Sequence, residues 1–303
     1  MYNYYQSLLL NDGFPEFLFK YFKCPSLLRL KNIGYFCGMD YASQNVYDFG
    51  EYISRYDHSF DVAFLTYKYT KSKEATLAGL FHDIATPCFS HVIDYMNKDY
   101  ANQESTEEYT EAIIKSDNYL LECLKEDNID VNDIIDFKKY SIVDNNRPKL
   151  CSDRLDGVIL TGAFWTKNLN FIDIENILNH VVVCKNEENE LELGFDCKKT
   201  AEKVMSVSDS IDKYCHSKED NYMMELLASL TKYVIDHNYI SYEDLYILDE
   251  IDLHLLFDTI EDEEFVDKYN IFKSIKMEDI PNQEMPYVKK RTLKLLVDGK
   301  RVK

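Results

Sequence analysis

The alternation of apolar and polar positions predicts a chain built mostly of helices. Residues 1–33 read as short helices, with Pro15 and Pro25 near helix starts. Residues 34–54 are rich in glycine and aromatics and lack a helical period, which predicts a loop with at most a short hairpin. A helix is expected from Ser54 to about Lys71, because Val62, Leu65 and Tyr69 recur at spacings of three and four. Residues 74–83 form an apolar helix, and Pro87 starts another that runs to about Asn97. Residues 102–116 and 117–138 read as surface helices with acidic faces. Asn145-Asn146-Arg147-Pro148 marks a loop, and residues 150–164 read as an apolar helix. Further helices are expected at 171–181, 197–216, 219–238 and 241–258. A short strand pair fits within 182–196, where Val181-Val182-Val183 and Leu191-Glu192-Leu193 flank a polar run. Residues 261–286 are acidic and read as loop. Asp298-Gly299 between Leu293–Val297 and Lys300–Lys303 is a hairpin signal in a basic tail.

Composition agrees with this pattern. Of 303 residues, 46% are hydrophobic, with 24 Tyr and 17 Phe, so a sizeable core is expected rather than disorder. Only 9 Gly and 6 Pro interrupt the helices. The expected fold class is all-α, with a small β element near the end. The expected division is a core at 1–180, a helical extension at 181–260 packed on it, and the acidic loop and basic hairpin at 261–303. No internal repeat is visible.

The formal net charge is −20, which argues against a nucleic-acid polymer as partner, since phosphate contacts need Lys and Arg. It leaves room for a small phosphate-bearing substrate, which needs only a few local cations. Eight cysteines without CxxC pairs predict reduced thiols and a cytoplasmic location. Leu8-Leu9-Leu10 is too short for the apolar part of a signal peptide, and no run reaches about 18 apolar residues, so no membrane partner is expected.

The chemistry concentrates in Ala78-Gly79-Leu80-Phe81-His82-Asp83, where an imidazole and a carboxylate end an apolar helix. Such groups are costly to bury unless paired or bound to a metal. Neighbours on a helix diverge by about 100°, so His82 and Asp83 converge only if the helix ends there. His58 upstream and Asp153 downstream complete a nitrogen and oxygen set that suits a divalent ion (Mn, Fe, Mg, Zn, Co or Ni). His91 and Asp94, three apart, share a helix face.

Four segments in order carry a resemblance. They are Arg55-Tyr56-Asp57-His58-Ser59, Leu80-Phe81-His82-Asp83, Pro87-Cys88-Phe89-Ser90-His91-Val92-Ile93-Asp94 and Ser152-Asp153-Arg154-Leu155-Asp156. Together they resemble the HD-domain phosphohydrolases, most nearly the deoxynucleoside triphosphate triphosphohydrolase branch. That branch reads R-F-x-H-S, L-x-H-D-x-G-H-x-P-F-S-H and D-x-x-D-Y. Weaker likeness at Pro25–Leu30, Tyr214-Cys215-His216-Ser217-Lys218 and Ser241–Leu245 extends it over roughly residues 20–260. The resemblance implies a helical fold, homo-oligomers and a hydrolase of nucleotides or related phosphate esters. It implies His58, His82, Asp83 and Asp153 as metal ligands, and His91 and Asp94 as the acid/base pair. Arg55, Arg154, Tyr214 and His216 are implied as substrate contacts. The chain also departs from that pattern. Thr86 stands where the second histidine of H-D-x-G-H is expected, Gln103 replaces a catalytic histidine before Glu104, Gly157 replaces the tyrosine, and Thr161-Gly162 replaces an Arg-Asp pair. Glutamine exchanges no useful proton at neutral pH. These departures leave two alternatives beside triphosphate hydrolysis: a phosphomonoesterase, or a regulatory module that binds metal and nucleotide without turnover.

Overall fold

The protein is described from a computed structural model that covers residues 1–101, 105–282 and 286–302. It is predominantly helical. The α-helices are α1 (Tyr2–Leu9), α2 (Pro25–Arg29), α3 (Arg55–Thr70), α4 (Lys73–Phe81), α5 (Val92–Met96), α6 (Thr110–Ser116) and α7 (Asn118–Glu126). After these come α8 (Val131–Ile135), α9 (Ser152–Leu160), α10 (Phe171–His180), α11 (Lys198–Cys215), α12 (Lys218–Asp236), α13 (Glu250–Phe257) and α14 (Glu263–Ser274). One hydrophobic core joins them, from Tyr2 and Tyr5 through Phe81 to Leu295.

A small sheet completes the fold. β1 (Val181–Lys185) pairs antiparallel with β2 (Leu191–Phe195) in the register Val181 to Phe195. β3 (Leu296–Val297) joins β2 in parallel through Phe195 and Val297, and β4 (Lys300–Arg301) returns antiparallel. Asp298 and Gly299 both have positive φ, 47° and 73°, as the tight turn of this hairpin requires. Buried Glu192 on β2 is gripped by Arg301 at 2.6 and 2.9 Å, which fastens the hairpin.

Two helices position the chemistry. Ser54 caps α3 in a reciprocal box: its Oγ accepts from the Asp57 N–H at 3.1 Å and its own N–H donates to Asp57 Oδ2 at 2.9 Å. A cap of this kind contributes about 1 kcal/mol and fixes where the helix begins. Ser72 caps α4 through the Ala75 N–H at 3.1 Å. Gly79 lets α4 lie close on α3: a Cβ there would stand 3.2 Å from Thr66 Oγ1 and 3.4 Å from Val62 Cγ1.

Several expectations change. Within 102–116 the α-helix is α6 alone, 117–138 is broken into α7 and α8, and 241–258 holds a 3-10 turn at Glu243–Tyr246 before α13. Residues 87–91 form turns rather than helix, because Phe89 and Ser90 sit at φ 61° and 48°, and α5 starts only at Val92. Residues 261–286 are not a plain loop: α14 occupies Glu263–Ser274 and buries Phe265, Tyr269 and Phe272 at helical spacing. The helix expected at 150–164 ends at Leu160 and continues as a wider π turn over Thr161–Trp165.

Candidate metal centre

His58 reaches the centre from the first turn of α3 and His82 from just past the end of α4. Asp83 follows His82, and Asp153 comes from the first turn of α9. His58 Nε2 lies 3.7 Å from Asp83 Oδ2 and 3.2 Å from Asp153 Oδ1. His82 Nε2 lies 3.6 Å from Asp83 Oδ1 and 3.7 Å from Asp153 Oδ1. The four side chains named by the motifs are therefore brought to one point.

The outer ring nitrogens fix which atoms face inward. His82 Nδ1 lies 2.7 Å from the Gly79 carbonyl, which only accepts, so Nδ1 carries the proton and Nε2 presents its lone pair. That Nε2 is buried without a hydrogen-bond partner among the described residues. His58 Nδ1 donates to Asp156 Oδ2 at 2.6 Å, and Tyr5 Oη from α1 donates to Asp156 Oδ1 at 2.5 Å. Both imidazoles are thus oriented by a second group, as metal-binding histidines usually are. Donors about 2.1 Å from an ion stand about 3.0–3.4 Å apart, close to the spacings found here. Two imidazole nitrogens, two carboxylates and an orphaned buried Nε2 fit a divalent first-row ion.

Electrostatics agree. Burial acts against its charged form, yet His82, Arg55 and His58 hold the Asp83 carboxyl down to about 2. Burial also disfavours a charged His58, but Asp153 and Asp156 outweigh it and raise the ring to about 10. These are acids and bases that hold charge in place of an ion. Asp144, Cys151 and Asp153 also lie together. Asp144, however, is held by Arg154 at 2.7 Å, and burial pushes the Cys151 thiol up to about 12.

A cavity of about 280 Å³ opens over the centre, lined by His82, Asp83 and Asp153 together with Arg55, His91, Arg147 and Arg291. Arg55 donates to Asp83 Oδ2 at 2.8 Å and to Ser90 Oγ at 3.2 Å, and its guanidinium lies 4.9 Å from the centre of the Tyr35 ring. His91 lines the cavity, and its Nδ1 meets buried Asp94 Oδ2 at 2.8 Å. Burial lowers the His91 pKa against the pull of Asp94. Arg154 also lines the cavity, but its guanidinium is engaged by Asp144, the Lys149 carbonyl at 2.8 Å, and Asn145. Tyr214 and His216 do not line the cavity. Tyr214 is 45% exposed beside Trp165, and His216 is tied between the carbonyls of Asp212 and Val288. Thr86 is buried in the cavity wall, whereas Gln103 and Glu104 lie outside the described residues.

Sequence reasoning missed Asp156, Tyr5, Arg147 and Arg291. Asp156 had a signal, since it stands in the quoted D-x-x-D segment. Tyr5 and Arg291 come from distant stretches with no local pattern, and Arg147 stands in the loop six positions before Asp153.

His58, His82 and Asp83 form a cluster that could hold a divalent ion, with Asp153 beside the two imidazoles. The family model for the HD domain matches residues 55–155, so the chain carries an HD domain over that stretch. Among curated proteins the chain is similar to an uncharacterized protein, YdhJ, of Bacillus subtilis (strain 168). The two are 27% identical over 207 residues, spanning 67% of this chain and 61% of that protein. The chain thus covers less than two thirds of the relative's length. Among the described residues, no helix is long and apolar enough to cross a membrane.

Proposed function

We propose that the protein is a metal-dependent phosphohydrolase acting on a nucleotide or related phosphate ester. The observation that carries this reading is the convergence of His58 Nε2, His82 Nε2, Asp83 and Asp153 Oδ1 on one point at the floor of a cavity lined by arginines. These four residues would hold the ion. A divalent ion in such a site lowers the pKa of bound water and polarises a phosphoryl oxygen.

The chain's own groups do the rest. Asp156 and the Gly79 carbonyl keep the two imidazoles aimed inward. Arg55, clamped by Asp83 and Ser90, holds a fixed positive charge at the cavity wall, where phosphate oxygens are attracted. His91, kept neutral near pH 7 by burial, accepts or returns a proton, and Asp94 holds its ring in one orientation. Arg154 serves the loop at 144–149 rather than the substrate.

A second reading has one observation in its favour. Thr86 is buried in the cavity wall at the position where the resembled enzymes carry a histidine, and a hydroxyl there transfers no proton at neutral pH. That favours a module that binds a phosphate compound without turning it over.

The test is the metal content of the purified protein, paired with a phosphate-release screen of nucleotides and simple phosphate esters under Mn, Fe, Co, Ni and Mg. Release that vanishes in the His82→Ala, Asp83→Ala double variant supports the hydrolase. Binding without release supports the module. Absence of any bound divalent metal overturns both.

A further inference from the structure

Two acids stand apart from the metal centre. Glu250, at the start of α13, is wholly buried, and partly buried Asp40 faces it from the loop that precedes α3. A side chain on Gly34 would meet Asp40 Oδ2 at 2.7 Å and Glu250 Oε2 at 3.1 Å, so both carboxylates close on the same small space. Among the described residues, neither Asp40 Oδ2 nor either oxygen of Glu250 has a hydrogen-bond partner. The N–H groups of Gly34 and Phe89 lean toward Glu250 without closing a bond. Two carboxyls so placed resist ionising together. Burial raises Asp40 to about 7, and burial and then the Asp40 charge raise Glu250 to about 8. The other groups that face the pair hold one state through neutral pH. Burial pushes the Tyr41 and Tyr52 hydroxyls and the Cys88 thiol well above their ordinary values. Burial, then Lys273, lower His254 to about 3, and Arg29 and Arg55 keep their guanidinium charge. Asp249 and Asp252 are engaged in the reciprocal cap of α13.

The pair spans a seam in the cavity wall. Phe36, Cys37 and Met39, which flank Asp40, line the cavity. Backbone anchors bracket this segment: the Tyr35 N–H donates to the Ile53 carbonyl at 2.8 Å and the Ser43 N–H to the Phe272 carbonyl at 2.9 Å. Between them, among the described residues, the backbone of residues 36–42 bonds only within itself. Side chains therefore hold the segment in place. Gly38 is seated where a Cβ would stand 2.5 Å from the Phe89 ring, and Tyr41 stacks on His254 of α13 at 3.8 Å. On the far side of the seam, the turn at Phe89 carries Ser90, which accepts from Arg55 at 3.2 Å, and then His91.

We propose that Asp40 and Glu250 form a proton-dependent clasp: with a proton on either acid, residues 36–42 stay seated on α13 and wall the cavity, and when both acids ionise the segment lifts and admits solvent. Like charges in a poorly solvated seam repel, and movement of the one segment without outside backbone bonds relieves them. The clasp lies outside the His–Asp centre. It does not rest on the phosphohydrolase reading, and its test measures no turnover.

The single tryptophan supplies the test. Trp165 lines the cavity and is reached from the segment through a file of rings: Phe36 on Phe49 at 4.1 Å, Phe49 by Tyr47 at 5.5 Å, and Tyr47 by Trp165 at 6.2 Å. Its fluorescence is followed in the full chain as purified, with acrylamide as quencher, from about pH 6 to about pH 9. The emission is expected to shift to the red and to become easier to quench, with a midpoint between about 7 and about 8. Glu250→Gln and Asp40→Asn each leave at most one charge in the seam, and each is expected to remove that change. Asp220 accepts from Tyr47 at 2.8 Å and is itself raised by burial to about 7, so it adds a smaller change that both variants keep. The clasp is therefore read as the part the variants lose. A flat signal from the unaltered protein overturns the proposal, as does a profile of either folded variant that superimposes on that of the unaltered protein. Should Glu250→Gln fail to fold by circular dichroism, Asp40→Asn decides, since Asp40 sits on a loop and is only partly buried.

Discussion

His58 and Asp156 share a hydrogen bond of 2.6 Å, Nδ1 to Oδ2, with both side chains buried. Tyr5 of α1 completes the line by donating to the other Asp156 oxygen. Because Nδ1 donates its hydrogen to Asp156, Nε2 is left for the centre. Asp156→Asn is expected to weaken divalent metal binding about 10- to 100-fold, the range found when such orienting partners are removed. Tyr5→Phe, which keeps the carboxylate, is expected to cost less. Metal titration of the three proteins checks the ranking, and equal affinities would show that Asp156 serves packing alone.

Metal binding is expected to release protons. Without an ion, Asp153 and Asp156 raise His58 to about 10, so at pH 7 it is protonated between them. An ion bound at His58 Nε2 displaces that proton. Apparent metal affinity therefore rises with pH through the neutral range. Calorimetry at pH 7 in two buffers of different ionisation enthalpy should report protons released as the ion binds. Heats that do not depend on the buffer would count against this protonation state.

A second pH effect lies away from the centre. Burial, then the neighbouring Asp40 carboxyl, raise Glu250 from its ordinary value of 4.5 to about 8, and the backbone N–H groups of Gly34 and Phe89 only partly offset this. Folded Glu250 keeps its proton where the unfolded chain has lost it. Its stabilising contribution is complete below pH 4.5 and is lost as pH rises to about 8. The loss is on the order of a few kcal/mol. Glu250→Gln should flatten the fall in melting temperature across that window, and an unchanged slope would exonerate Glu250.

Gly79 makes a separate prediction about how the histidines meet. Its Cβ position already touches Thr66 and Val62, so Gly79→Leu must drive α4 off α3. Overpacking of this kind costs about 1–3 kcal/mol, a fall of roughly 2–5 °C in Tm for a chain of this size. The rise in Tm on adding Mn, expected for the unaltered protein, should shrink with it, because His58 and His82 ride on the two helices. A variant that melts early yet keeps the full rise would show that the centre tolerates the shift.

Much of this molecule is legible in its sequence. Ser54 announced α3 because its cap and the apolar period are local signals, and the Asp298-Gly299 turn was equally local. His82-Asp83 was readable because two costly groups ended an apolar helix. The misreading of 261–286 has a plain cause: acidic residues masked Phe265, Tyr269 and Phe272, whose spacing of four and three was present throughout. The turn at 87–91 was hidden because no residue type announces a left-handed Phe89 and Ser90. Arg147 and Arg291 were invisible for another reason. They meet across 144 positions of chain, and only folding brings them together.

One small clearance near the centre ties a glycine to a distant aromatic ring. A Cβ on Gly157 would stand 3.0 Å from Tyr35 Oη, and the Tyr35 ring packs 4.9 Å from both the His58 ring and the Arg55 guanidinium. The resembled enzymes place a tyrosine at the position of Gly157. Here the phenol comes from the loop before α3, and the space left by the glycine belongs to it. Positions 35 and 157 thus share one space, and a side chain at 157 requires the Tyr35 phenol to shift. A tyrosine placed at 157 alone would press on the Tyr35 phenol, and through that ring on His58 and Arg55.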